Sequence, residues 1–404
     1  MGAMRRAAAI AIGLLLAAVV ATPVSVLSVD RSSANAQAPA QSGQVDASSA
    51  NAQSKEVLGF FQARDIDHML HTADYSVLST IAFFGIAGRR DGTLMTTSHG
   101  RPDSRWTAWN SPAMDRIIAK AHAAGTKVVL SFTRFGWTSA SLVTTARMLS
   151  NPAARSRMAH AIAAEVRRRG IDGANIDFEP IPGSQKHTFV TFVHQVRSAL
   201  NAINPSYQLT VAATGYIANY DAGGIVSPGG ADAIYIMAYQ YHGNWSTTTG
   251  SIAPLTRNGY DMHDTIANFV AHGAPASKLI LGQPYYGYEW PTVSGKVDAA
   301  TLPAGHTYGY NFSVLYSTAV AIAAAHGRLW DPVEHTPWVR WQSRNCSTCP
   351  LTWHELYYDD AQSLGLKYDM VNADGLRGVG IWCVGYEGGR TELNALLREK
   401  FGSH

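Results

Sequence analysis

Cysteine is scarce in this chain, which holds three cysteines among 404 residues. Two of them lie in the polar segment CSTC at 346–349, and the third, Cys383, lies in the apolar run GVGIWCVG. A zinc site on the CSTC pair would need further ligands, yet no second C-x-x-C and no paired-histidine motif occurs. In an exported chain the pair favours a small local disulfide between Cys346 and Cys349, and Cys383 is expected to be buried.

Charged residues are also few, and their signs nearly balance. They make up 15% of the chain against 46% hydrophobic residues, and the formal net charge is +3. Subtracting the four basic and two acidic residues of 1–55 from the totals of 32 and 29 leaves 28 and 27, a net charge of +1 for 56–404. Such a surface has no basic field to attract nucleic acid or an anionic membrane, so we expect a neutral substrate or partner.

The common motifs of cofactor and metal sites are missing as well. No G-x-G-x-x-G follows the first predicted strand, and the 15 histidines include no H-E-x-x-H. We therefore predict that the protein uses neither a cofactor nor a metal ion.

The first residues read MGAMRRAAAIAIGLLLAAVVATPVSVLS, in which two arginines precede a long uncharged apolar run. This pattern predicts a secretory signal peptide over 1–36, with ANA at 34–36 as the cleavage site. A membrane anchor is the alternative, because the run is long enough to span a bilayer. Residues 37–55 are rich in Ala, Gln, Ser and Asn without periodicity, which predicts a flexible linker. We expect a secreted protein without stable membrane association after the signal is removed.

Eight short apolar runs follow along 56–404, with helical patterns between several of them. Each is rich in Val, Ile or aromatic residues, as strands of a parallel sheet buried on both faces are. The runs are VLGFF (57–61), VLSTIAFF (77–84), KVVLSF (127–132), GANIDF (173–178), QLTVAA (208–213), AIYIMAY (233–239), LILGQPY (279–285) and GVGIWCV (378–384). This alternation predicts a (β/α)8 TIM barrel, an α/β fold, with a doubly wound open sheet as the alternative.

The gap between the seventh and eighth runs is much longer than the others. Residues 286–377 include alternating aromatic text such as HTPWVRWQ and WHELYYDD. We predict that this region is a small inserted subdomain, or lid, beside the mouth of the barrel.

The fourth run carries three polar residues at alternate positions: Asn175, Asp177 and Glu179. Successive side chains of a strand point to opposite faces, so these three point one way, and Ile176 and Phe178 point the other way. Buried carboxylates are costly unless they are hydrogen-bonded or used. In a TIM barrel the active site lies at the carboxyl ends of the strands, so this polar face predicts an active site there.

The segment DGANIDFE at 172–179 resembles the D-G-x-D-x-D-x-E signature of the family 18 glycoside hydrolases, the chitinase family. Three further segments resemble later strands of that family, in the correct order. They are IMAYQYH at 236–242, LGQPYYGYEW at 281–290 and GVGIWCVGYEGG at 378–389. The resemblance covers about 56–404, and it implies hydrolysis of β-1,4 links after N-acetylglucosamine by retaining, substrate-assisted catalysis.

The resemblance also implies roles for individual residues. Glu179 would be the general acid and then the base, Asp177 would orient the substrate acetamide, and Tyr239 would donate a hydrogen bond to that acetamide. Trp382 would form the floor under the reacting sugar, and Tyr286 would contribute to the same pocket. No nucleophile from the enzyme is implied.

Two positions depart from the family pattern. Asn175 and Gln240 stand where the family usually has aspartates, and both keep the ability to form hydrogen bonds. We expect both residues to contact substrate, although a purely structural amide is as good a reading of Asn175. The asparagine at 175 resembles the pattern of a branch of the family that includes spore-cortex and peptidoglycan-type hydrolases.

The expected substrate is a chitin-type oligomer of N-acetylglucosamine, and the protein is expected to be a monomer. Peptidoglycan is the alternative substrate, since it carries the same N-acetyl group. A catalytically silent sugar-binding barrel is a further alternative, because two aspartates of the pattern are lost. Some of the loop tryptophans are expected to be additional sugar platforms: Trp106, Trp109, Trp137, Trp245 and Trp290.

Overall fold

The computed structural model of the protein describes residues 55–257 and 259–402. The predicted signal peptide and all but the last residue of the predicted linker lie outside these residues. Within the described part of the chain, no helix is both long enough and apolar enough to cross a membrane.

Eight parallel strands close into a barrel in which each strand pairs with the next along the chain, and the last pairs with the first. The strands are Glu56–Gln62, Thr80–Ala87, Lys127–Phe135, Gly173–Glu179, Gln208–Thr214, Ala233–Met237, Leu279–Pro284 and Gly378–Trp382. Each of the eight apolar runs of the sequence overlaps one of these strands. The predicted (β/α)8 barrel is therefore confirmed, and the open sheet is excluded by the pairing of Glu56 with Gly378.

Helices connect the strands and cover the outside of the barrel. The α-helices are Ile66–His71, Ser104–Trp109, Pro112–Ala123, Ser139–Ser150, Pro152–Arg169, Lys186–Asn201, Ala222–Ile225, Met262–Ala271, Tyr316–His326, Ala361–Ala373 and Glu392–Phe401. Short 3-10 turns occupy Ala63–Asp65, Tyr75–Val77, Gly183–Gln185, Ile217–Asn219 and Ala276–Lys278.

Local sequence explains where the helix Pro152–Arg169 begins and ends. The Asn151 side chain accepts the backbone N–H groups of Ala153 and Ala154, and Pro152 occupies the first helical position. The same helix ends at Gly170, whose φ of 61° lies in the left-handed region that glycine tolerates.

The barrel interior holds its own apolar core, separate from the core between strands and helices. Its largest member is Tyr235, which is fully buried and meets the ring of Phe60 edge-on at 4.8 Å between centroids. A Cβ atom on Gly380 would lie 2.0 Å from the Tyr235 ring. Glycine at 380 therefore makes the space that lets an aromatic ring fill the barrel.

Within the predicted insertion 286–377, the residues up to Tyr357 form a five-stranded antiparallel sheet with one helix, and the helix Ala361–Ala373 then leads to the eighth barrel strand. The strands of the sheet are Tyr286–Thr292, Phe312–Leu315, Leu329–Asp331, Thr336–Ser343 and Thr352–Tyr357, and its helix is Tyr316–His326. Cys346 and Cys349 form a disulfide within the loop that joins the last two of these strands. Two short strands, Thr97–Ser98 and Arg101–Pro102, form a separate ribbon after the second barrel strand.

Candidate active site

The fourth barrel strand turns its polar face into the barrel. Phe178 faces the opposite way, where its ring stacks on Phe192 of the outer helix Lys186–Asn201 at 5.4 Å. Alternation along the strand therefore directs Asn175, Asp177 and Glu179 inward, as the sequence predicted. Glu179 ends the strand at the carboxyl rim of the barrel, where TIM barrels place their active sites.

Asp177 and Glu179 form a pair of carboxyl groups with strongly perturbed acidity. Asp177 is only 3% exposed, and its Oδ1 has no hydrogen-bond partner among the described residues. Burial raises the pKa of Asp177 to about 6, against the opposing effect of its contact with Glu179. Burial raises the pKa of Glu179 well above its usual range, and the charge of Asp177 raises it further. The pair therefore shares a proton that stays on Glu179 near neutral pH.

Asn175 lies one inward position deeper than Asp177, and it is fully buried. The Ser131 hydroxyl donates to Asn175 Oδ1 at 3.0 Å, and Asn175 Nδ2 donates to Thr210 Oγ1 at 2.9 Å. These partners come from the third and fifth strands, on either side of the fourth. The amide thus links three strands directly beneath the carboxyl pair, and the predicted contact of Asn175 with substrate stays a prediction.

Tyr239 follows the sixth strand, and its ring meets that of Tyr286 edge-on at 6.2 Å. The Tyr239 hydroxyl lies 3.4 Å from the hydroxyl of Tyr235 in the barrel core. Burial raises the pKa of Tyr239 well above its usual range, so the hydroxyl keeps its proton and can donate a hydrogen bond. Gln240 is exposed with a φ of 64°, and its side chain lies beside the Tyr286 hydroxyl.

Trp382 ends the eighth strand at the same rim, and it is partly exposed. Its ring meets Phe84 edge-on at 4.7 Å and lies tilted against Phe60 at 5.9 Å. Phe84 in turn contacts Phe135, which ends the third strand and is exposed. The sequence analysis did not name Phe84 or Phe135, although both lie near the carboxyl ends of predicted strands.

The loop tryptophans divide into buried and exposed residues. Trp109 is buried, with its Nε1 donating to Glu165, and Trp290 is buried, with its Nε1 donating to the Gly243 carbonyl. These two are core residues and are not sugar platforms. Trp245 is exposed in the loop after the sixth strand, and it keeps a surface that a sugar could reach.

The family model described as glycosyl hydrolases family 18 matches residues 48–387. The chain belongs to this family. A sporulation-specific glycosylase of Bacillus subtilis, YdhD, is 28% identical over 245 residues, which are 58% of this chain and 52% of the relative. Chitinase 1 of Aphanocladium album is 30% identical over 193 residues, or 44% of this chain and 45% of the relative. The family 18 chain thus spans about half the length of these curated relatives.

Solved structures share the fold of this family 18 chain. A family 18 chitinase from Cycas revoluta, in complex with (GlcNAc)3, has a TM-score of 0.70 at 21% identity, covering 86% of this chain and all of that one. The Bacillus cereus spore cortex-lytic enzyme SleL has a TM-score of 0.66 at 18% identity, covering 86% of this chain and 75% of that one. At these identities the likeness concerns the barrel and its arrangement.

Two groups of side chains in the described residues have the chemistry of metal ligands, and both lie on the insertion. His306 lies near Cys346 and Cys349, but those sulfurs are joined to each other and offer no thiolate. The second group consists of Asp298, Asp331 and Glu334, and none of these belongs to the carboxyl pair of the fourth strand.

Proposed function

We propose that the protein hydrolyses β-1,4 links that follow N-acetylglucosamine, with retention of anomeric configuration and with the substrate's own acetamide as nucleophile. The pair formed by the buried Asp177 and the partly buried Glu179 carries this proposal. A general acid must hold its proton at working pH, and the environment of Glu179 meets that requirement.

In the first step Glu179 gives its proton to the glycosidic oxygen, and the bond from that oxygen to the anomeric carbon breaks. The acetamide oxygen of the same sugar forms a new bond to the anomeric carbon, which produces an oxazolinium cation. Asp177 accepts a hydrogen bond from the acetamide N–H and stabilises the positive charge. The Tyr239 hydroxyl donates to the acetamide oxygen and orients it for attack.

In the second step Glu179, now ionised, removes a proton from water. The water oxygen attacks the anomeric carbon on the face that the leaving group vacated, and the acetamide is released unchanged. Two inversions give net retention.

Oxygen Oδ1 of Asp177 is free to accept the acetamide N–H, because it has no partner among the described residues.

We propose chitin-type oligomers as the substrate. The near-zero net charge of 56–404 suits a neutral polymer, and the ring of Trp382 suits the apolar face of a sugar. Peptidoglycan is the second candidate, because relatives of this chain include YdhD and the cortical fragment-lytic enzyme of Bacillus subtilis. The N-terminal sequence pattern supports secretion of the enzyme, and a monomer is proposed with it.

A binding-only function is the competing proposal from another class. A chitinase-like agglutinin from Robinia pseudoacacia shares the fold, with a TM-score of 0.70 at 20% identity. Retention of Glu179 with its raised pKa favours catalysis, because sugar binding alone does not require a protonated carboxyl group at the rim.

Product analysis tests these proposals together. The protein, a Glu179→Gln variant and a Glu399→Gln control would each be incubated with N-acetylglucosamine hexamer and with purified peptidoglycan. Glu399 is exposed on the last helix, so the control makes the same chemical change away from the mouth. Mass spectrometry would identify the products, and proton NMR would follow which anomer forms first.

Cleavage by the protein and the control, lost in Glu179→Gln and giving the β-anomer first, is the expected result. The polymer that is cut then identifies the substrate. Binding of hexamer by the unsubstituted protein, with cleavage of neither hexamer nor peptidoglycan, would refute the enzyme and select the lectin-like alternative. Release of the α-anomer first would refute the retaining mechanism.

A further inference from the structure

Three acidic side chains meet where the insertion packs against the loop that follows the sixth barrel strand. Asp298, Asp331 and Glu334 each offer a carboxylate oxygen, and these oxygens lie within 4.8 Å of one another. Asp331 and Glu334 are buried, whereas Asp298 is exposed to solvent. The group is independent of the carboxyl pair at the barrel mouth.

Hydrogen bonds from the main chain hold the carboxylates of Asp331 and Glu334 in place and leave one oxygen of each without a hydrogen bond. Asp331 Oδ1 accepts the backbone N–H groups of Val333 at 2.8 Å and Glu334 at 3.1 Å, so its second oxygen is available. Glu334 Oε2 accepts the backbone N–H of Ser251, and its Oε1 lies 3.8 Å from Arg257 Nε. The main chain thus fixes the oxygens independently of any ligand.

A fourth carboxyl group is fully buried beside them with an unused oxygen. Glu355 Oε2 accepts the Thr249 hydroxyl at 2.6 Å, whereas Oε1 has no partner among the described residues. Tyr357, two residues later on the same face of its strand, is also buried, and its hydroxyl likewise has no partner there. That hydroxyl lies beside the Asp298 backbone, and the Asp298 charge acts on Glu355. Thr249, which bonds to Glu355, also donates its backbone N–H to the carbonyl of Ala299, the neighbour of Asp298, so the unused Oε1 of Glu355 lies at the same junction as the acidic group.

The positive charges nearby do not balance the negative ones. Arg257 faces Glu334, and Arg340, whose guanidinium lies over the ring of Trp338, acts on Glu355. Burial lowers the pKa of His242, whose Nδ1 pairs with the Ser251 carbonyl, so this ring is neutral. Four carboxyl groups thus meet at this junction with two guanidinium groups beside them.

We propose, contrary to the prediction of no metal ion from the sequence motifs, that Asp298, Asp331 and Glu334 bind a calcium ion, with Glu355 completing its acidic shell directly or through water. Calcium takes six to eight oxygen ligands at about 2.3–2.6 Å, so two ligands on opposite sides of the ion lie up to about 5 Å apart. The oxygens of Asp298, Asp331 and Glu334 all lie within 4.8 Å of one another, which is inside this limit. Magnesium usually keeps several waters and binds through one or two carboxylates, so a group of three or four carboxyl side chains suits calcium better.

The ion would join two walls of the barrel mouth. Glu334 already bonds to Ser251 on the loop after the sixth strand, and the Thr256 hydroxyl donates to the Val333 carbonyl across the same junction. That loop continues from Tyr239 of the candidate active site. Calcium would therefore stabilise the insertion against the loop, and this inference does not depend on the proposed sugar chemistry.

Thermal unfolding and terbium luminescence test the site without any sugar substrate. Purified protein would be freed of metal with EDTA and dialysed, and its Tm measured with excess EDTA, CaCl2 or MgCl2. Tb³⁺ replaces Ca²⁺ at oxygen sites, and its emission is excited through nearby aromatic rings, here Tyr357. Asp298→Asn removes one ligand at an exposed position, so the variant is expected to fold. Asp374→Asn is the matched control, at an exposed acid on the end of the helix Ala361–Ala373.

CaCl2 is expected to raise the Tm by about 5 °C over EDTA, and MgCl2 by less. Tb³⁺ emission should appear and be displaced by CaCl2, and Asp298→Asn should weaken Ca²⁺ binding at least about tenfold while Asp374→Asn does not. Equal Tm values in CaCl2 and EDTA, with no Tb³⁺ emission, would overturn the proposal. Tb³⁺ binding of equal strength in the protein and Asp298→Asn would overturn it as well.

Discussion

Replacing Asn175 with aspartate tests how the buried amide controls the acidity of the carboxyl pair. Asn175 and aspartate have nearly the same shape, so Ser131 and Thr210 can keep their positions on either side. The substitution adds a carboxyl group that is fully buried and two residues before Asp177 on the same face. Any effect on catalysis beyond local packing must come from the added titratable group.

The size of the effect follows from the strand geometry. Two residues of a strand span about 6.6 Å, and unit charges at that distance interact by about 2.5 kcal/mol at an effective dielectric constant of about 20. This corresponds to about 1.8 pH units for Asp177. Glu179 lies about 13 Å away along the strand, where the same calculation gives about 1.3 kcal/mol, or about 0.9 pH units. A negative charge raises the pKa of both acids, so both limbs of the pH profile should move to higher pH.

The assay is kcat/KM against pH with a chromogenic N-acetylglucosamine oligomer. The acidic limb reports the carboxyl group that must be ionised, and the basic limb reports the one that must be protonated. For Asn175→Asp the acidic limb should rise by about one to two pH units, and the basic limb by about half as much. Ser131→Ala is the control, because it removes a hydrogen bond from Asn175 without adding a charge.

A folded Asn175→Asp variant with an unchanged profile would refute the reasoning. It would mean that the new carboxyl group keeps its proton at every pH of the assay, or that it does not affect Asp177 and Glu179. An equal displacement of both limbs in Ser131→Ala would point to positioning of the strand as the cause.

Three further predictions concern stability. Asp177→Asn should leave the free energy of unfolding unchanged below about pH 4 and increase it by up to about 3 kcal/mol above pH 6. The reason is that burial raises the pKa of Asp177 from 3.8 to about 6, so folding at higher pH must bury its charge. Urea unfolding across pH measures this difference. Lys367→Met should cost about 3–5 kcal/mol in the same assay, since it leaves the buried Asp359 unpaired, and adding Asp359→Asn should recover much of the loss. Gly380→Ala should cost about 1–3 kcal/mol and lower kcat, because the new methyl group displaces Tyr235.

Each of these predictions has a contradicting outcome. A constant difference between Asp177→Asn and the parent from pH 3.5 to 8 would show that Asp177 is not destabilised by ionisation. Lys367→Met with parental stability would show that Asp359 is solvated or protonated. Gly365→Ala is the control for Gly380→Ala, because its Cβ atom would meet only Leu396, at an ordinary 3.6 Å. Equal losses in both glycine variants would contradict the close contact at 380.

The barrel was predictable from the sequence because its strands are buried on both faces. Each strand therefore left an apolar run of its own, and the runs recur in chain order. The inward direction of Asp177 and Glu179 was predictable for a similarly local reason, since the period of a strand is two. The position of Glu179 at the rim followed from Pro180, which ends the strand.

Contacts between distant segments were not predictable in this way. The sequence offered no sign that Asn175 would bond to Ser131 and Thr210, because strand register decides those partners. Loop tryptophans looked alike in the sequence, yet Trp109 and Trp290 are buried, since tertiary packing decides the environment of an aromatic ring. The acidic group of the insertion had no motif, because Asp298 lies far along the chain from Asp331 and Glu334.

Carboxyl groups without matching counter-charges thus occur in two places, and the two arrangements favour different chemistry. Asp177 and Glu179 project from one strand toward an open rim, so a proton can satisfy them until the substrate brings a positive charge of its own. The oxazolinium cation would be that charge, formed only during the reaction. The oxygens of Asp298, Asp331 and Glu334 instead come from two segments and lie within 4.8 Å of one another, beside the buried carboxyl group of Glu355. Several fixed carboxylate oxygens at that spacing suit a bound cation, which is why we assign a proton to the first group and a metal ion to the second.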